Sequence, residues 1–294
     1  MRIAHYELRI MSDGFINLKK NSGMTSHDAV NHVRKIFLTR KVGHAGTLDP
    51  LASGVLPVAI GQGTKFIEYL ADCDKVYRAE ILFGIETDSG DLEGEIISRA
   101  NFQMPTVDDI NAALKSFVGE IEQTPPKFSA IKINGRKAYE LARKNLAFDM
   151  PRRLVKIFNI ELVATGENSA TLEINCGKGT YIRSLAVDLG ARLNLPATLK
   201  NLTRLRVGDF DIKNSVTLDE LRTENILPIE NCLNHLPRFE LDAKRIRAFM
   251  NGLPTTINAP DEKFLRICAG GKFLGVGRIE GGELKSSKIF NAAP

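Results

Sequence analysis

The chain has 294 residues, of which 43% are hydrophobic and 26% are charged, and its formal net charge is +5 at neutral pH. These ordinary globular proportions exclude a largely disordered chain and leave room for one large domain and a smaller one. No apolar run approaches the roughly eighteen residues that a membrane-spanning helix needs. The charged first ten residues do not fit a signal peptide, and the four scattered cysteines form no C-x-x-C pair. We therefore expect reduced thiols and a cytoplasmic protein.

The first elements along the chain are a strand at 14–18 and a helix that begins after Thr25. Thr25 and Asp28 have the spacing of a capping box, in which each side chain accepts a hydrogen bond from the backbone N–H of the other residue. Five apolar residues fall on one face of the predicted helix and are expected to be buried. They are Ala29, Val30, Val33, Ile36 and Phe37.

The next segment, residues 43–56, reads GHAGTLDPLASGVL and is the most informative stretch of the chain. Its three glycines allow the backbone to fold closely on itself, and Pro50 biases Asp49 toward an extended conformation. The apolar run at 55–60 predicts a buried strand directly afterwards. A carboxylate presented from a stiff loop on a rigid scaffold is typical of a functional site. The alternative is an Asx-type turn, in which Asp49 only caps its own backbone.

Four further elements follow before the middle of the chain. They are a helix at 65–71, a strand at 75–83, an acidic turn at 88–94 and a helix capped by Thr106 with Asp109. The turn at 61–65 lacks the glycine spacing of a nucleotide-binding loop. The acidic turn lacks the closing glutamate of a calcium loop, because Arg99 stands where that glutamate is required.

A strongly basic segment begins at Lys127 and ends at Lys156. Nine basic side chains and two acidic ones lie in it, so it carries a net charge of +7 and leaves −2 for the rest of the chain. Such one-signed charge predicts a polyanionic partner, whereas a solvated helix face usually mixes signs. The basic residues are Lys127, Lys132, Arg136, Lys137, Arg143, Lys144, Arg152, Arg153 and Lys156.

Two strands, at 154–164 and 170–176, lead to a helix for which Thr180 is the predicted cap. Tyr181 and Arg183 would then lie on the first turn, away from the apolar stripe, where a surface arginine is the commoner case. From about Pro237 the sequence changes to short strands separated by paired glycines, after a short helix capped by Asp242. This pattern predicts a small β-barrel at the end of the chain.

The segment 43–56, with Lys-Val-Tyr at 75–77 and Gly-Thr-Tyr-Ile-Arg at 179–183, resembles the motifs of the TruB family of tRNA pseudouridine synthases. The resemblance covers roughly residues 14–235. It implies that Asp49 is the nucleophile, that Tyr77 stacks on the target base and accepts a proton, and that Arg183 forms an ion pair with Asp49. It further implies a substrate-binding set, which consists of Lys20, His44, Tyr181 and Leu202.

The resemblance also implies an architecture. The fold class is α+β, with a mixed, mostly antiparallel sheet, flanking helices and a small C-terminal PUA-like β-barrel. The expected divisions are an N-terminal extension at 1–13, a catalytic domain at 14–236 with an RNA-binding insertion at about 124–153, and a PUA-like RNA-binding domain at 237–294.

The function implied by the resemblance is isomerisation of the uridine at position 55, in the T-arm loop of tRNA. The T-arm stem-loop is then the expected partner of a monomer that needs no obligate protein partner and no membrane. No cofactor and no metal are expected, because the reaction rejoins a sugar and a base without a redox step or a phosphoryl donor. Two alternatives are a guide-RNA-dependent pseudouridine synthase and a non-catalytic RNA-binding or tRNA chaperone protein.

Overall fold

The computed structural model of the chain describes residues 13–144 and 146–291. The predicted N-terminal extension therefore lies outside the described residues, except for Asp13. Within the described residues, no helix is long and apolar enough to cross a membrane.

A nine-stranded sheet forms the centre of the molecule. Its main path runs β1-β3-β12-β4-β11-β10-β7, with β2 paired to β3 and β13 paired to β12. Only the pairing of β3 with β12 is parallel, which confirms the mixed, mostly antiparallel sheet. The strands are β1 (Gly14–Lys20), β2 (Val42–His44), β3 (Ser53–Ile60), β4 (Lys75–Phe83), β7 (Gly119–Gln123), β10 (Arg153–Thr165), β11 (Ser169–Cys176), β12 (Ala197–Val207) and β13 (Phe210–Asp211).

Two short hairpins stand outside this sheet, near one end of it. The first pairs β5 (Ile85–Thr87) with β6 (Ile96–Arg99), and the second pairs β8 (Lys132–Ile133) with β9 (Arg136–Lys137). Asn134 and Gly135 join β8 to β9 and both have positive φ, as the tightest hairpin turns require.

Three helices, at 26–36, 107–115 and 182–192, pack on the sheet and share one core with its strands, and the helix at 67–71 belongs to a second buried cluster. Two of them begin with the predicted capping boxes, in which Thr25 pairs with Asp28 and Thr106 with Asp109. The helices of this part of the chain are α1 (Ser26–Ile36), α2 (Ile67–Ala71), α3 (Val107–Lys115), α4 (Ala138–Ala142) and α5 (Ile182–Arg192).

Three local predictions were wrong. The helix expected at 65–71 begins two residues later, at Ile67, because residues 61–66 form a 3₁₀ turn. Ile36 was expected to be buried with Phe37, but it is 44% exposed, whereas Phe37 is buried. Thr180 does not cap α5: the capping position is Tyr181, and the hydroxyl of Thr180 donates to the carbonyl oxygen of Gly177 instead.

The end of the chain forms a second, five-stranded sheet in the order β14-β16-β17-β18-β15. Its elements are β14 (Arg238–Glu240), α6 (Ile246–Met250), β15 (Thr255–Thr256), β16 (Glu262–Ala269), β17 (Lys272–Glu280) and β18 (Glu283–Ile289). This sheet agrees with the predicted PUA-like module.

Aromatic side chains join the two sheets. The ring of Tyr69 meets that of Phe264 edge-on at 5.1 Å, and Phe66 lies 5.6 Å from Phe273. These rings belong to one buried cluster that contains residues of both sheets. The small sheet is therefore attached through hydrophobic core, not through a polar contact alone.

Gly54 provides a test of how tightly the central strands pack around the loop that carries Asp49. Its φ is +102°, and a β-carbon placed there would lie 2.2 Å from the carbonyl oxygen of Arg204. We expect Gly54→Ala to lower the free energy of unfolding by more than about 3 kcal/mol, since backbone strain and a steric clash add together. Gly119 is the matched control, because its φ is +106° and the space around it is open. Thermal unfolding of Gly119→Ala should report the backbone strain alone. Equal losses of unfolding free energy in Gly54→Ala and Gly119→Ala would contradict the clash at Gly54.

Candidate active site

Hydrogen bonds to the backbone groups of the loop that carries Asp49 hold it in place. The buried hydroxyl of Ser26 bonds to both the N–H and the carbonyl oxygen of Leu48, at 2.8 and 3.0 Å. The carbonyl oxygen of Pro50 accepts from the N–H of Gly23 at 2.8 Å, and that of Asp49 accepts from Ala52 at 3.0 Å. The loop is thus fixed through its main chain, and the carboxylate of Asp49 is left to interact elsewhere.

The carboxylate of Asp49 faces Arg183, at the start of α5. Its Oδ2 lies 2.9 Å from the Nε of Arg183, although the Nε–H is not directed at the oxygen. Among the described residues, no backbone N–H donates to this carboxylate, so the contact that the structure offers Asp49 is ionic. The Asx-type turn considered from the sequence is not formed.

Arg183 is 5% exposed and has four partners. Its Nη1 donates to the carbonyl oxygen of Ser89 and its Nη2 to that of Phe128, both at 2.9 Å. Its Nε also lies 3.5 Å from Oδ2 of Asp91. A planar guanidinium held from four directions presents a fixed positive charge to Asp49.

Asp91 is a member of this network that the sequence analysis missed. It lies in the turn between β5 and β6, which was interpreted only as a connection. Its carboxylate is buried and accepts from the hydroxyl of Ser89 at 2.6 Å and from the N–H of Glu93 at 3.1 Å. These bonds fix Asp91 beneath Arg183, so two carboxylates share one guanidinium.

Asp49 and Arg183 open onto a cleft of about 1010 Å³. Tyr77 and Leu202, on the adjacent strands β4 and β12, line it together with Tyr181. Burial raises the pKa of the Tyr77 hydroxyl, which is therefore protonated at neutral pH. A flat, mostly apolar surface of this kind beside a fixed carboxylate suits a planar ring with polar edges.

The start of α5 is tied to the end of β7 and to the residue that follows it. The side-chain amide of Gln123 donates to the carbonyl oxygen of Tyr181 at 3.0 Å and accepts from its N–H at 2.8 Å. The hydroxyl of Ser184 donates to the carbonyl oxygen of Thr124 at 2.7 Å. Gln123 was not found from the sequence, because an isolated glutamine at a strand end carries no signal of such a pair.

Two predicted substrate-binding residues do not line the cleft. The ammonium of Lys20 is buried and donates to the carbonyl oxygens of Met24 at 2.6 Å and Asn21 at 2.9 Å, and burial lowers its pKa to about 8. His44 lies at the end of β2, and its Nδ1 is buried without a hydrogen-bond partner in the part of the chain that the structure describes. Burial lowers the pKa of His44 too, so its ring is neutral at pH 7.

The basic segment forms one rim of the cleft. Tyr139, Arg143 and Arg153 line the cleft, and the guanidinium of Arg153 lies 4.6 Å from the centre of the Tyr181 ring. The remaining predicted RNA-binding residues are exposed. They are Lys127, Lys132, Arg136, Lys137, Lys144 and Arg152.

Within residues 13–144 and 146–291, no group of three or more histidine, cysteine or acidic side chains is arranged to hold a metal ion.

Sequence comparisons match both parts of the chain to known families. Residues 34–182 match the family described as TruB family pseudouridylate synthase (N terminal domain). Residues 237–290 match the family described as Pseudouridine synthase II TruB, C-terminal. A Bacillus pumilus protein named tRNA pseudouridine synthase B is 46% identical over 266 residues, which cover 86% of this chain and 85% of that one. A protein of the same name from Clostridium kluyveri is 40% identical and covers 95% of this chain and 99% of its own.

Solved structures with a similar fold agree with these matches. A chain of a Cbf5-Nop10-Gar1 complex aligns with a TM-score of 0.75 at 26% identity, over 96% of this chain and 86% of that one. A chain of an H/ACA RNP bound to a substrate RNA containing 2′-deoxyuridine has a TM-score of 0.74 at 24% identity, over 97% and 87% of the two chains. The fold is that of the pseudouridine synthases. Within that class, the chain belongs to the TruB family.

Proposed function

We propose that this chain is a tRNA pseudouridine synthase that isomerises the uridine at position 55, in the T-arm loop, with Asp49 as the nucleophile. The observation that carries the proposal is the carboxylate of Asp49, which is held 2.9 Å from the Nε of Arg183 at the edge of a cleft large enough for a nucleotide. The named relatives of this chain support the same activity.

The reaction breaks the bond between C1′ and N1 of uridine and joins C1′ to C5 of the same base. Asp49 acts on the nucleotide as a nucleophile, and Arg183 keeps the carboxylate oriented while the detached base turns. Tyr77 provides a stacking surface for the base. Because the pKa of its hydroxyl is raised, Tyr77 enters the reaction as a neutral phenol. To act as the proton acceptor it gives its own proton to the detached base, whose N1 gains one in the product, and takes up the proton that C5 loses.

The target base must first leave its stack in the T-arm loop, which costs a few kcal/mol. Leu202 and Tyr181 line the cleft that receives it, and we assign the displacement of the base to His44, which precedes the cleft-lining Gly46 by two residues. Lys20 serves the substrate indirectly, since its ammonium binds carbonyl oxygens next to the Asp49 loop.

The proposal includes the predicted organisation of the molecule. The catalytic domain spans 14–236, its insertion at about 124–153 grips the RNA, and residues 237–294 form a second RNA-binding module. The enzyme acts as a cytoplasmic monomer without an obligate protein partner. Sedimentation of the purified protein alone and with tRNA checks the stoichiometry.

A guide-RNA-dependent enzyme is the second candidate, because the aligned chain of the Cbf5-Nop10-Gar1 complex has a closely similar fold. The experiment that separates the two uses an unmodified tRNA transcript and the purified chain, with chelator and without any added RNA or cofactor. Pseudouridine mapped at the T-arm loop supports the stand-alone enzyme. Tight binding without modification favours the guide-dependent or the chaperone function, and absence of binding overturns the assignment to RNA.

The basic rim is expected to contribute affinity through phosphate contacts. Replacing Lys132, Arg136 and Lys137 with glutamine should weaken tRNA binding and reduce the slope of log K against log salt by about 2 to 3, since each phosphate contact contributes about 0.7 to 0.9. Filter binding between low and moderate salt measures the slope.

A matched control removes the same charge elsewhere. Lys35, Lys115 and Lys213 are exposed and lie outside the basic segment at 127–156. Their triple glutamine variant should keep nearly the whole slope. Equal losses in the two variants would mean that overall charge, not this rim, attracts the RNA.

A further inference from the structure

Arg204, on β12, is among the largest fully buried side chains, with 1% of its surface exposed. In the described part of the chain, no carboxylate oxygen lies within 4.0 Å of its guanidinium. Burying a cation without a paired anion is costly, because the charge loses its hydration. A side chain retained under these conditions needs other strong partners.

Carbonyl oxygens of the Asp49 loop and its flanking strand are those partners. The Nε of Arg204 donates to Val55 at 2.7 Å and the Nη2 to Gly46 at 3.0 Å, while the Nη1 lies 3.5 Å from the carbonyl oxygen of Thr47. Gly46 and Val55 stand on either side of Asp49 in the sequence. The guanidinium therefore bridges the base of the loop from inside the protein.

The strand pairing places Arg204 between the two catalytic elements. Arg204 is the register partner of Tyr77 on β4 and of Gly54 on β3. Arg204 is also one of the residues that border the cleft. Its positive charge opposes the rise that burial causes in the pKa of Tyr77, and with burial it lowers the pKa of the neighbouring Lys75.

A guanidinium suits this position better than an ammonium. Its donors point in fixed directions within one plane, so one side chain can hold carbonyl oxygens of Gly46 and Val55 at once. A lysine would keep the charge but bring a single nitrogen to carbonyl groups that lie on opposite sides of the loop base. Replacement of Arg204 by lysine therefore separates the role of the positive charge from the role of the planar set of donors.

We propose that Arg204 is a positioning residue for pseudouridine formation: it holds the Asp49 loop from below, so that the carboxylate meets Arg183 and faces the ring of Tyr77. This inference rests on the proposed function for its catalytic part. It makes no use of a contact between Arg204 and the RNA.

The test uses Arg204→Lys and Arg204→Met in the full chain, with two readouts. Hydrogen exchange followed by mass spectrometry reports the peptide that contains Ala45, Leu48 and Ala52, whose amide hydrogens are all bonded. We expect both variants to exchange this peptide at least about ten times faster than wild type, since local opening exposes it. With saturating enzyme, the rate of pseudouridine formation should fall about 10-fold in Arg204→Lys and 10²-fold or more in Arg204→Met, while tRNA affinity stays within about two-fold.

Arg206→Met is the control. Arg206 lies on the same strand, and its guanidinium pairs with Asp74 at 2.6 Å, away from the loop. The Arg206→Met variant should keep the hydrogen exchange of the peptide that contains Ala45, Leu48 and Ala52, and the rate of pseudouridine formation, near wild type. The same changes in this variant would show general loosening of the strand and overturn the proposal.

The remaining outcomes are also decisive. If Arg204→Lys folds and its loop peptide exchanges hydrogen at the wild-type rate, the proposal is overturned. It is also overturned if the peptide exchanges faster while the rate of pseudouridine formation stays at that of an active wild type. If neither variant folds, Arg204 is required for the fold and not for positioning. If wild type itself forms no pseudouridine, the proposed function fails, and the exchange readout still decides whether Arg204 holds the loop.

Discussion

Asp49→Asn is expected to abolish pseudouridine formation, with a loss of at least about 10³-fold in single-turnover rate. Asparagine has nearly the same shape as aspartate but lacks the negative charge, so it can neither attack carbon nor stabilise a positive sugar. The fold should survive, because Asp91 still pairs with Arg183 and the loop is held through its main chain. Rates are measured with saturating enzyme on a tRNA transcript, and binding is measured separately.

Asp88→Asn is the matched control for this prediction. Asp88 is an exposed carboxylate that lines the same cleft, and its Oδ1 accepts from the N–H of Glu95 at 2.9 Å. Its loss removes the same charge from the cleft without touching Arg183, so activity should remain within a few-fold of wild type. An Asp49→Asn enzyme with more than a tenth of the wild-type rate would remove Asp49 from the role of nucleophile.

Arg183→Lys should reduce the rate by about 10² to 10³-fold and should also destabilise the protein by about 3 kcal/mol. Lysine keeps the charge, but one nitrogen cannot reach Asp49, Asp91 and the carbonyl oxygens of Ser89 and Phe128 together. At least one buried acceptor is therefore left unpaired. Thermal unfolding and single-turnover rates measure the two effects in the same preparation.

Arg78→Lys controls for the general cost of replacing arginine. Arg78 pairs with Glu173 at 3.0 Å, but both side chains are well exposed, and exposed pairs contribute little. The melting temperature and the activity of the Arg78→Lys variant should stay close to those of wild type. Wild-type activity in Arg183→Lys would mean that the charge alone, and not the geometry of the guanidinium, serves the reaction.

The sequence analysis predicted many single elements and the Asp49 loop because their signals are local, whereas the architecture was implied by the family resemblance. The capping boxes at Thr25 and Thr106 and the alternation in β4 lie within a few residues of chain, and they fix the elements around the sheet. The segment around Asp49 is contiguous, so its glycines and proline are visible at once. Such features need no knowledge of distant contacts.

Other features depend on contacts that no local pattern contains. The predicted cap by Thr180 was wrong because α5 begins one residue later, after Tyr181, whose backbone is held by the side chain of Gln123 on a different strand, and the Thr180 hydroxyl donates to Gly177. Asp91 looked like an ordinary turn residue, and only the folded chain brings it to Arg183. Arg204 follows the buried Leu202 by two residues and therefore lies on the same face of β12, and this was the one sequence signal that could have indicated its burial.

The bonds between the segment after β7 and α5 have a consequence for how RNA is handled. Phe128 and Thr124 lie at the root of the basic insertion, and their carbonyl oxygens bind Arg183 and Ser184. A displacement that opens the Phe128 contact removes one of the four partners of Arg183. Under the proposed function, the grip of the insertion on RNA and the orientation of the Asp49 carboxylate would share one coupling free energy, and coupling of this kind is reciprocal. An RNA bound out of register would then also loosen Arg183, and the enzyme could discriminate against wrong RNAs after binding them.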